Sequence, residues 1–127
     1  MGSTEDILIT TGLRGYHTYR DTWTNIAVNQ EITLIKQPNN RYDRNAIAGF
    51  VKGLHKSDPS YLTEIGHLPR ELAAILSAVT EPDWYCCVTR ATPTFTKGLE
   101  IPITISLTHD KRNKSLAKKL RVKGFVV

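Results

Sequence analysis

The sequence predicts a small α+β domain in which a mostly antiparallel sheet of about six strands forms an OB-like barrel with two helices. Three observations predict this class. Short β-branched and apolar stretches are separated by segments rich in Gly, Pro, Asn and Asp, and two further segments have helical periodicity. The chain has 127 residues, of which 40% are hydrophobic, so it can bury one core.

The first half of the chain supplies four strands, expected at residues 7–13, 31–36, 45–52 and 64–68. Gly12 and Gly15 flank Arg14 and let the backbone bend tightly where the first strand ends. Residues 16–30 are rich in Tyr, Thr and Asn, which favours an extended loop. Residues 37–44 hold the Pro, Asn and Asp typical of a turn.

The first helix is expected to open at Pro69 and to end near Thr80, before Pro82. A surface loop is expected at 53–60, before the strand at 64–68. The apolar positions of the helix have helical spacing: Leu72, Ala73, Ile75, Leu76 and Val79.

Two strands and a second helix complete the chain. The strands are expected at 84–92 and 99–108, and Pro102 marks an edge or a bulge. The final helix should run from about residue 111 to Gly124, with Asp110 as its cap. We assign residues 7–127 to one domain and expect residues 1–6 to be a flexible N-terminus or a cloning remnant, so that the domain is part of a larger protein.

Several classes of function are disfavoured by composition. No apolar run approaches the roughly 20 residues of a membrane span. Cys86 and Cys87 are adjacent, which disfavours a disulfide, and no further cysteine completes a zinc site. The carboxylates and the four histidines are scattered without catalytic or metal-ligand spacing. We therefore expect neither enzyme activity nor a cofactor or metal.

The net charge of +5 is concentrated at the C-terminal end. Up to residue 110 the chain has 10 basic and 12 acidic side chains, whereas the remaining residues hold seven cations and no acid. On a helix, four of the cations would form a ridge opposite the apolar face: Lys111, Lys114, Lys118 and Arg121. Such a ridge is either a solvated face or an attractor of phosphate-rich partners.

Aromatic and cationic residues alternate after the first strand, at Arg14, Tyr16 and His17. This composition is typical of a nucleic-acid surface, in which aromatic rings stack on bases and arginine contacts phosphates. The alternative is a half-buried tyrosine with its hydroxyl in water.

The turn at 38–47 places Tyr42 directly before Asp43, between two arginines. Asn and Asp side chains commonly bond the backbone in turns, which accounts for the asparagines. A lone carboxylate among cations is, however, a poor phosphate ligand and a good acceptor for a hydroxyl group.

The segment 66–72 brings His67 and Arg70 to the opening of the first helix. The free backbone N–H groups there, together with Arg70, can form an anion site. Alternatively His67 only caps the helix and Arg70 only pairs with a nearby acid.

Taken together, these stretches resemble the HIRAN domain. The resemblance covers most of the chain: Gly-Leu-Arg at 12–14, Asn-Asn-x-Tyr-Asp-x-Asn-Ala-Ile at 39–47, Gly-His-Leu-x-x-Glu-Leu at 66–72 and Lys-Gly-Phe at 123–125. It implies a partly open, OB-like barrel that binds the 3′ end of single-stranded DNA and captures its terminal hydroxyl.

The resemblance also implies roles for individual residues. Arg14 and Arg70 would contact backbone phosphates, the latter where the family commonly has a lysine. Tyr16 and Tyr42 would stack on or enclose the last bases. Asp43 would accept the hydrogen bond of the 3′-hydroxyl.

Two further residues, Asn40 and His67, would line the same pocket. The sequence departs from the family at Gly15, where a second tyrosine is expected after the arginine, so that one stacking face is missing unless His17 or Tyr19 replaces it. Losing one stack should weaken binding by about 1–3 kcal/mol.

These observations lead us to expect a non-catalytic, monomeric and nuclear module that targets a larger fork-remodelling or DNA-repair protein to DNA 3′ ends. One alternative is a protein-interaction module of the same fold whose DNA pocket is degenerate. Another is single-stranded RNA binding, which uses the same stacking and differs in the 2′-hydroxyl.

Overall fold

The computed structural model of the chain describes residues 4–14, 31–53, 58, 60–79, 84–91 and 100–125. These residues form strands β1 (Thr4–Arg14), β2 (Glu31–Lys36), β3 (Ile47–Lys52), β4 (Leu62–His67), β5 (Trp84–Ala91) and β6 (Glu100–Asp110), and helices α1 (Arg70–Ser77) and α2 (Lys114–Val122). The predicted α+β class, with an antiparallel sheet and two helices, is confirmed. Tyr16, His17 and the expected loop at 16–30 lie outside the described residues.

All of the described strand pairs are antiparallel, and the strand order is β1-β4-β3-β2-β5-β6. β1 also pairs along its whole length with β6. Among the described residues its backbone pairing with β4 is limited to one pair, Arg14 with His67. The sheet therefore curls until its two edges meet at the end of β1.

Gly66 permits this close approach. Its φ is +153°, and a Cβ built on it would lie 3.0 Å from the backbone oxygen of Arg14. Any side chain here would push β1 away from β4. The glycine therefore holds the predicted phosphate ligand Arg14 beside the end of β4.

Alternation along the strands directs one row of side chains into the barrel. Ile103, Ile105 and Leu107 of β6 are buried, and the residues between them are partly exposed. The helices contribute their apolar faces to the same core through Leu72, Leu76, Leu116 and Leu120. Each fully buried side chain of this size contributes about 1.5–3 kcal/mol, so the core, and not the polar turns, carries most of the stability.

β1 begins at Thr4, three residues before the predicted start. Residues 4–6 pair with residues 108–110 of β6. The hydroxyl of Thr108 donates to Asp6 at 2.6 Å, and Nε2 of His109 lies 2.8 Å from Oε1 of Glu5. The segment predicted to be flexible thus continues the strand, because its partners lie about a hundred residues away and leave no local pattern.

The predicted capping role of Asp110 is wrong. Asp110 is the last residue of β6, and its carboxylate accepts from the backbone N–H and the guanidinium of Arg112. Asn113 precedes α2 and makes no side-chain cap bond. β6 runs two residues further than predicted, so the helix starts later.

The predicted end of α2 at Gly124 is confirmed. Gly124 has a φ of +79°, and its N–H donates to the carbonyl of Arg121 at 3.0 Å. The N–H of Phe125 donates to the carbonyl of Leu120 at 3.0 Å. These two bonds form a Schellman motif, which requires the left-handed conformation that glycine adopts easily.

α1 follows Pro69, as predicted, and is anchored at its other end by β2. The ammonium of Lys36 donates to the carbonyl of Val79 at 2.6 Å. Within the described part of the chain, no helix is long and apolar enough to cross a membrane, and no group of His, Cys, Asp and Glu could hold a metal ion.

Candidate functional site

The turn between β2 and β3 is closed by backbone hydrogen bonds. The N–H of Gln37 donates to the carbonyl of Ala46 at 2.8 Å, and that of Asn40 donates to the carbonyl of Gln37 at 3.0 Å. Ala46 in turn donates to the carbonyl of Asp43 at 3.1 Å. The turn is therefore a defined structure, as its Pro, Asn and Asp content predicts.

Asn40 holds the tip of this turn in place. Its Oδ1 accepts from the backbone N–H groups of Tyr42, at 2.9 Å, and Asp43, at 3.1 Å. Its Nδ2 donates to Oε1 of Gln37 at 3.2 Å. Asn40 thus orients the two residues that the resemblance assigns to base and hydroxyl contacts.

Gln37 connects the turn to β4. Its Oε1 lies 2.9 Å from Nε2 of His67, and its Nε2 donates to Oε1 of Glu64 at 3.0 Å. Because the carboxylate of Glu64 accepts, the Gln37 amide must turn its oxygen toward His67 and Asn40. In this arrangement Nε2 of His67 faces the amide oxygen of Gln37, and one glutamine contacts two predicted site residues.

Asp43 uses its two carboxylate oxygens differently. Oδ1 accepts from the backbone N–H of Asn45 at 2.9 Å. Oδ2 lies 3.8 Å from Nε of Arg70, which is an ion-pair distance but longer than a hydrogen bond. The Asp43 side chain is 22% exposed and that of Arg70 is 83% exposed. The Asp43–Arg70 pair is thus open to water, and Arg70 is only loosely held.

Two grooves lie on either side of this pair. The turn groove, of about 680 Å³, is lined by residues 38–44. The strand-end groove, of about 770 Å³, is lined by the end of β1, the start of α1 and the C-terminal turn, through residues that include Arg14, Arg70, Lys123 and Phe125. Asp43 lines the first groove and its partner Arg70 lines the second, so the two grooves adjoin.

Tyr42 projects from the turn with 84% of its surface exposed. The guanidinium carbon of Arg41 lies 5.6 Å from the centre of its ring, within cation–π range. An exposed ring beside a cation can stack on a planar ligand and attract its negative charge.

Five of the predicted site residues therefore line these two grooves: Arg14, Asn40, Tyr42, Asp43 and Arg70. A sixth, His67, is connected to the turn through Gln37. Arg14 and Arg70 line one groove, and Asp43 lies 3.8 Å from Arg70, although the three residues come from distant parts of the chain. Tyr16 and His17 lie outside the described residues.

The four residues of the predicted basic ridge are exposed, but only three of them belong to α2. Lys111 precedes α2, and Lys114, Lys118 and Arg121 lie on its exposed surface. Of the described cations beyond residue 110, the one that lines the strand-end groove is Lys123.

Sequence reasoning missed two residues of the site. Lys123 lay outside the predicted set, although the Lys-Gly-Phe motif contains it. Gln37 was missed because its partner His67 lies 30 positions away.

A comparison with protein-family models matches the HIRAN domain over residues 10–108. The chain belongs to the HIRAN family. That match includes Arg14 at the end of β1, and it includes the turn, β4 and α1, which hold the other five described site residues. No curated protein matches the chain.

Among solved structures, this HIRAN domain is similar to the HIRAN domain of human HLTF, with a TM-score of 0.72 and 21% identity over 100% of this chain and 98% of that one. A protein from Lactobacillus plantarum matches with a TM-score of 0.60 and 14% identity over 84% and 98%. The HLTF HIRAN domain in its DNA-bound conformation matches with a TM-score of 0.56 and 23% identity over 97% and 95%. At these identities the likeness shows the fold.

Proposed function

We propose that this HIRAN domain is a non-catalytic module that binds single-stranded DNA and recognises its 3′-hydroxyl end. We further propose that it is a monomer that directs a larger, nuclear protein of DNA repair or replication-fork remodelling to such ends. The DNA-bound structure of the HLTF HIRAN domain supports the choice of ligand.

The geometry of Asp43 is the observation that carries the proposal. Its Oδ1 is used by the turn, and its Oδ2 faces Arg70 without a hydrogen bond to it. A hydroxyl group entering the turn groove could donate to Oδ2, and a hydrogen bond to a charged acceptor is worth about 1.5–3 kcal/mol. A terminal phosphate in the same position would be repelled by the carboxylate.

Arg14 and Arg70 supply the phosphate contacts from the strand-end groove. Arg70 is loosely paired and highly exposed, so it can turn to a phosphate at little cost. Tyr42 offers the stacking face, and Asn40 and His67 hold the pocket in shape. The strand would therefore end at Asp43 and continue past Arg70 toward Arg14.

Lys111, Lys114, Lys118 and Arg121 would add long-range attraction to the phosphates. Such attraction is independent of sequence and falls as salt rises. The recognition of the end would then depend on Asp43, and the speed and strength of the first encounter would depend on the ridge.

The proposal is tested by fluorescence anisotropy with a labelled ten-nucleotide strand ending in either a 3′-hydroxyl or a 3′-phosphate. We expect the hydroxyl strand to bind at least about tenfold more tightly, since one charged hydrogen bond is lost and a repulsion is added. Equal affinity for the two ends would contradict end recognition. A matched RNA strand that binds more tightly than DNA would redirect the proposal to RNA.

Two variants make this test specific. Asp43→Asn keeps an oxygen for the N–H of Asn45, so the turn remains, but removes the charge that rejects a phosphate. We expect it to reduce the preference for the hydroxyl end several-fold. Asp58→Asn is the matched control, since Asp58 accepts the N–H of Ser60 at 3.0 Å in an exposed loop. If both variants lower the preference equally, Asp43 is not the recognition residue.

A further inference from the structure

A third groove lies between the two helices, away from Asp43. This helix groove, of about 430 Å³, is lined by Ile75 of α1, by Ser115, Lys118, Lys119 and Val122 of α2, and by Lys123. Val122 is 74% exposed although it is a β-branched apolar residue. The proposed DNA site makes no use of the apolar residues Ile75 and Val122 of this groove.

The floor of the helix groove is aliphatic and its rim is cationic. Ile75 and Val122 supply the apolar surface, and three lysines surround it. Lysine side chains add apolar methylene groups while their ammonium groups remain in water. The described lining contains no aromatic ring, so it offers no face on which a base could stack.

Charge complementarity selects the occupant. Apolar anchors would fill the floor, and carboxylates beside them would meet Lys118, Lys119 and Lys123. An amphipathic helix presents both groups at once, with apolar residues at i, i+4 and acids alongside them. A bare phosphate chain would satisfy the lysines but leave Ile75 and Val122 in contact with water.

We propose that the helix groove binds an acidic amphipathic peptide segment of a partner protein. This inference is independent of the proposed DNA function. The helix groove shares Lys123 with the strand-end groove and Lys118 with the basic ridge, whereas Ile75 and Val122 belong to the helix groove and have no role in the proposed DNA site. The groove is small, so binding is expected to be weak and transient and to involve one or two apolar anchors.

The test uses a labelled peptide of about 15 residues with leucines at i, i+4 and glutamates between them, measured by anisotropy against the intact chain. A scrambled peptide of the same composition keeps the charge and loses the apolar face. We expect the patterned peptide to bind at least about fivefold more tightly than the scrambled one, as expected for one buried anchor. Equal binding of the two peptides would overturn the proposal, because charge alone would then explain it.

Val122→Asp is the decisive variant. Val122 is exposed, so the fold should tolerate the change, and a carboxylate in the groove would repel the peptide. We expect at least about a fivefold loss of peptide affinity, and unchanged affinity in Lys52→Glu, which alters an exposed cation on β3. Unchanged peptide binding in Val122→Asp would overturn the proposal.

Two other outcomes would assign the groove to a different occupant. If Val122→Asp abolishes a concentration-dependent self-association measured by sedimentation, the groove holds a second copy of the chain. If it weakens oligonucleotide binding and the peptide does not bind, the groove belongs to a nucleic-acid path. Either result overturns the peptide assignment.

Discussion

Asp43 and Asp110 occupy the same local motif at different positions in the fold. Each accepts from the backbone N–H two residues later, at 2.9 Å for Asn45 and 2.8 Å for Arg112, and each has an arginine beside it. Asp110 is 2% exposed and its arginine is its near neighbour in the sequence, whereas Asp43 is 22% exposed and its arginine comes from α1.

The difference lies in the second carboxylate oxygen. Oδ2 of Asp110 accepts from Nε of Arg112 at 2.9 Å and from Nη2 of the same residue. Oδ2 of Asp43 is 3.8 Å from Arg70, beside two grooves. Both oxygens of the Asp110 carboxylate accept hydrogen bonds within the protein, which stabilises the fold. The Asp43 carboxylate can still accept a hydrogen bond from a ligand through Oδ2. An aspartate in a turn is therefore a candidate site only when its second oxygen faces a groove.

The largest expected effect comes from separating the Asp43 region from β1. Gly66→Ala adds a Cβ 3.0 Å from the backbone oxygen of Arg14 at a φ of +153°. Strain of this kind costs about 1–3 kcal/mol, measured as the free energy of unfolding in urea. Gly53→Ala is the control, since Gly53 has a φ of +85° but open space around it. If the control costs as much, the approach of β1 to β4 is not what Gly66 permits.

The second prediction concerns Asp110, whose two carboxylate oxygens both accept from Arg112. The side-chain hydrogen bond from Arg112, followed by its backbone N–H, lowers the pKa of Asp110 from 3.8 to about 2, and this outweighs the opposing effect of burial. Because the folded-state pKa is depressed, this stabilisation is present above about pH 4 and is lost as the pH falls toward 2. Asp110→Asn should therefore flatten the decline of unfolding free energy over that interval.

Arg112→Ala gives the same test from the other partner. We expect the pKa of Asp110, followed by NMR titration of its carboxyl carbon, to rise toward 3.8. The remaining bond to the backbone N–H of residue 112 should keep it somewhat below that value. A pKa that stays near 2 would show that Arg112 is not the cause.

Much of the fold follows from local patterns, and the site only in part. β2 lies at Glu31–Lys36 as predicted, and α1 begins directly after Pro69, because alternation and a helix-opening proline act within a few residues. The predictions for the role of Asp110 and for the start of β1 were wrong. Both depend on how far β6 pairs with β1, and the two strands lie about a hundred positions apart in the sequence. The sequence indicated Asp43 and Arg70 separately, and β4 brings them together.

No local sequence pattern indicates the role of Gln37 in the site. Its expected contribution to stability is smaller than that of Gly66. Gln37→Ala leaves His67, Asn40 and Glu64 without one hydrogen-bond partner each, but all are partly exposed and water can replace part of the loss. We expect the free energy of unfolding to fall by about 1 kcal/mol. We expect the free energy of oligonucleotide binding to lose a larger fraction of its value. Asn39→Ala, exposed in the same turn, should change stability by less than about 0.5 kcal/mol.

The smallest expected effect on stability, and the sharpest contrast with Arg112, is that of Arg70→Ala. The side chain is 83% exposed and 3.8 Å from Asp43, so its removal should change the unfolding free energy by less than about 0.5 kcal/mol. Oligonucleotide affinity should nevertheless fall, and the slope of log affinity against log salt should decrease by about 0.7, the value for one phosphate contact on a single strand. If Arg70→Ala instead destabilises the fold and leaves the salt slope unchanged, Asp43 and Asp110 do the same structural work, and the distinction drawn from their second oxygens fails.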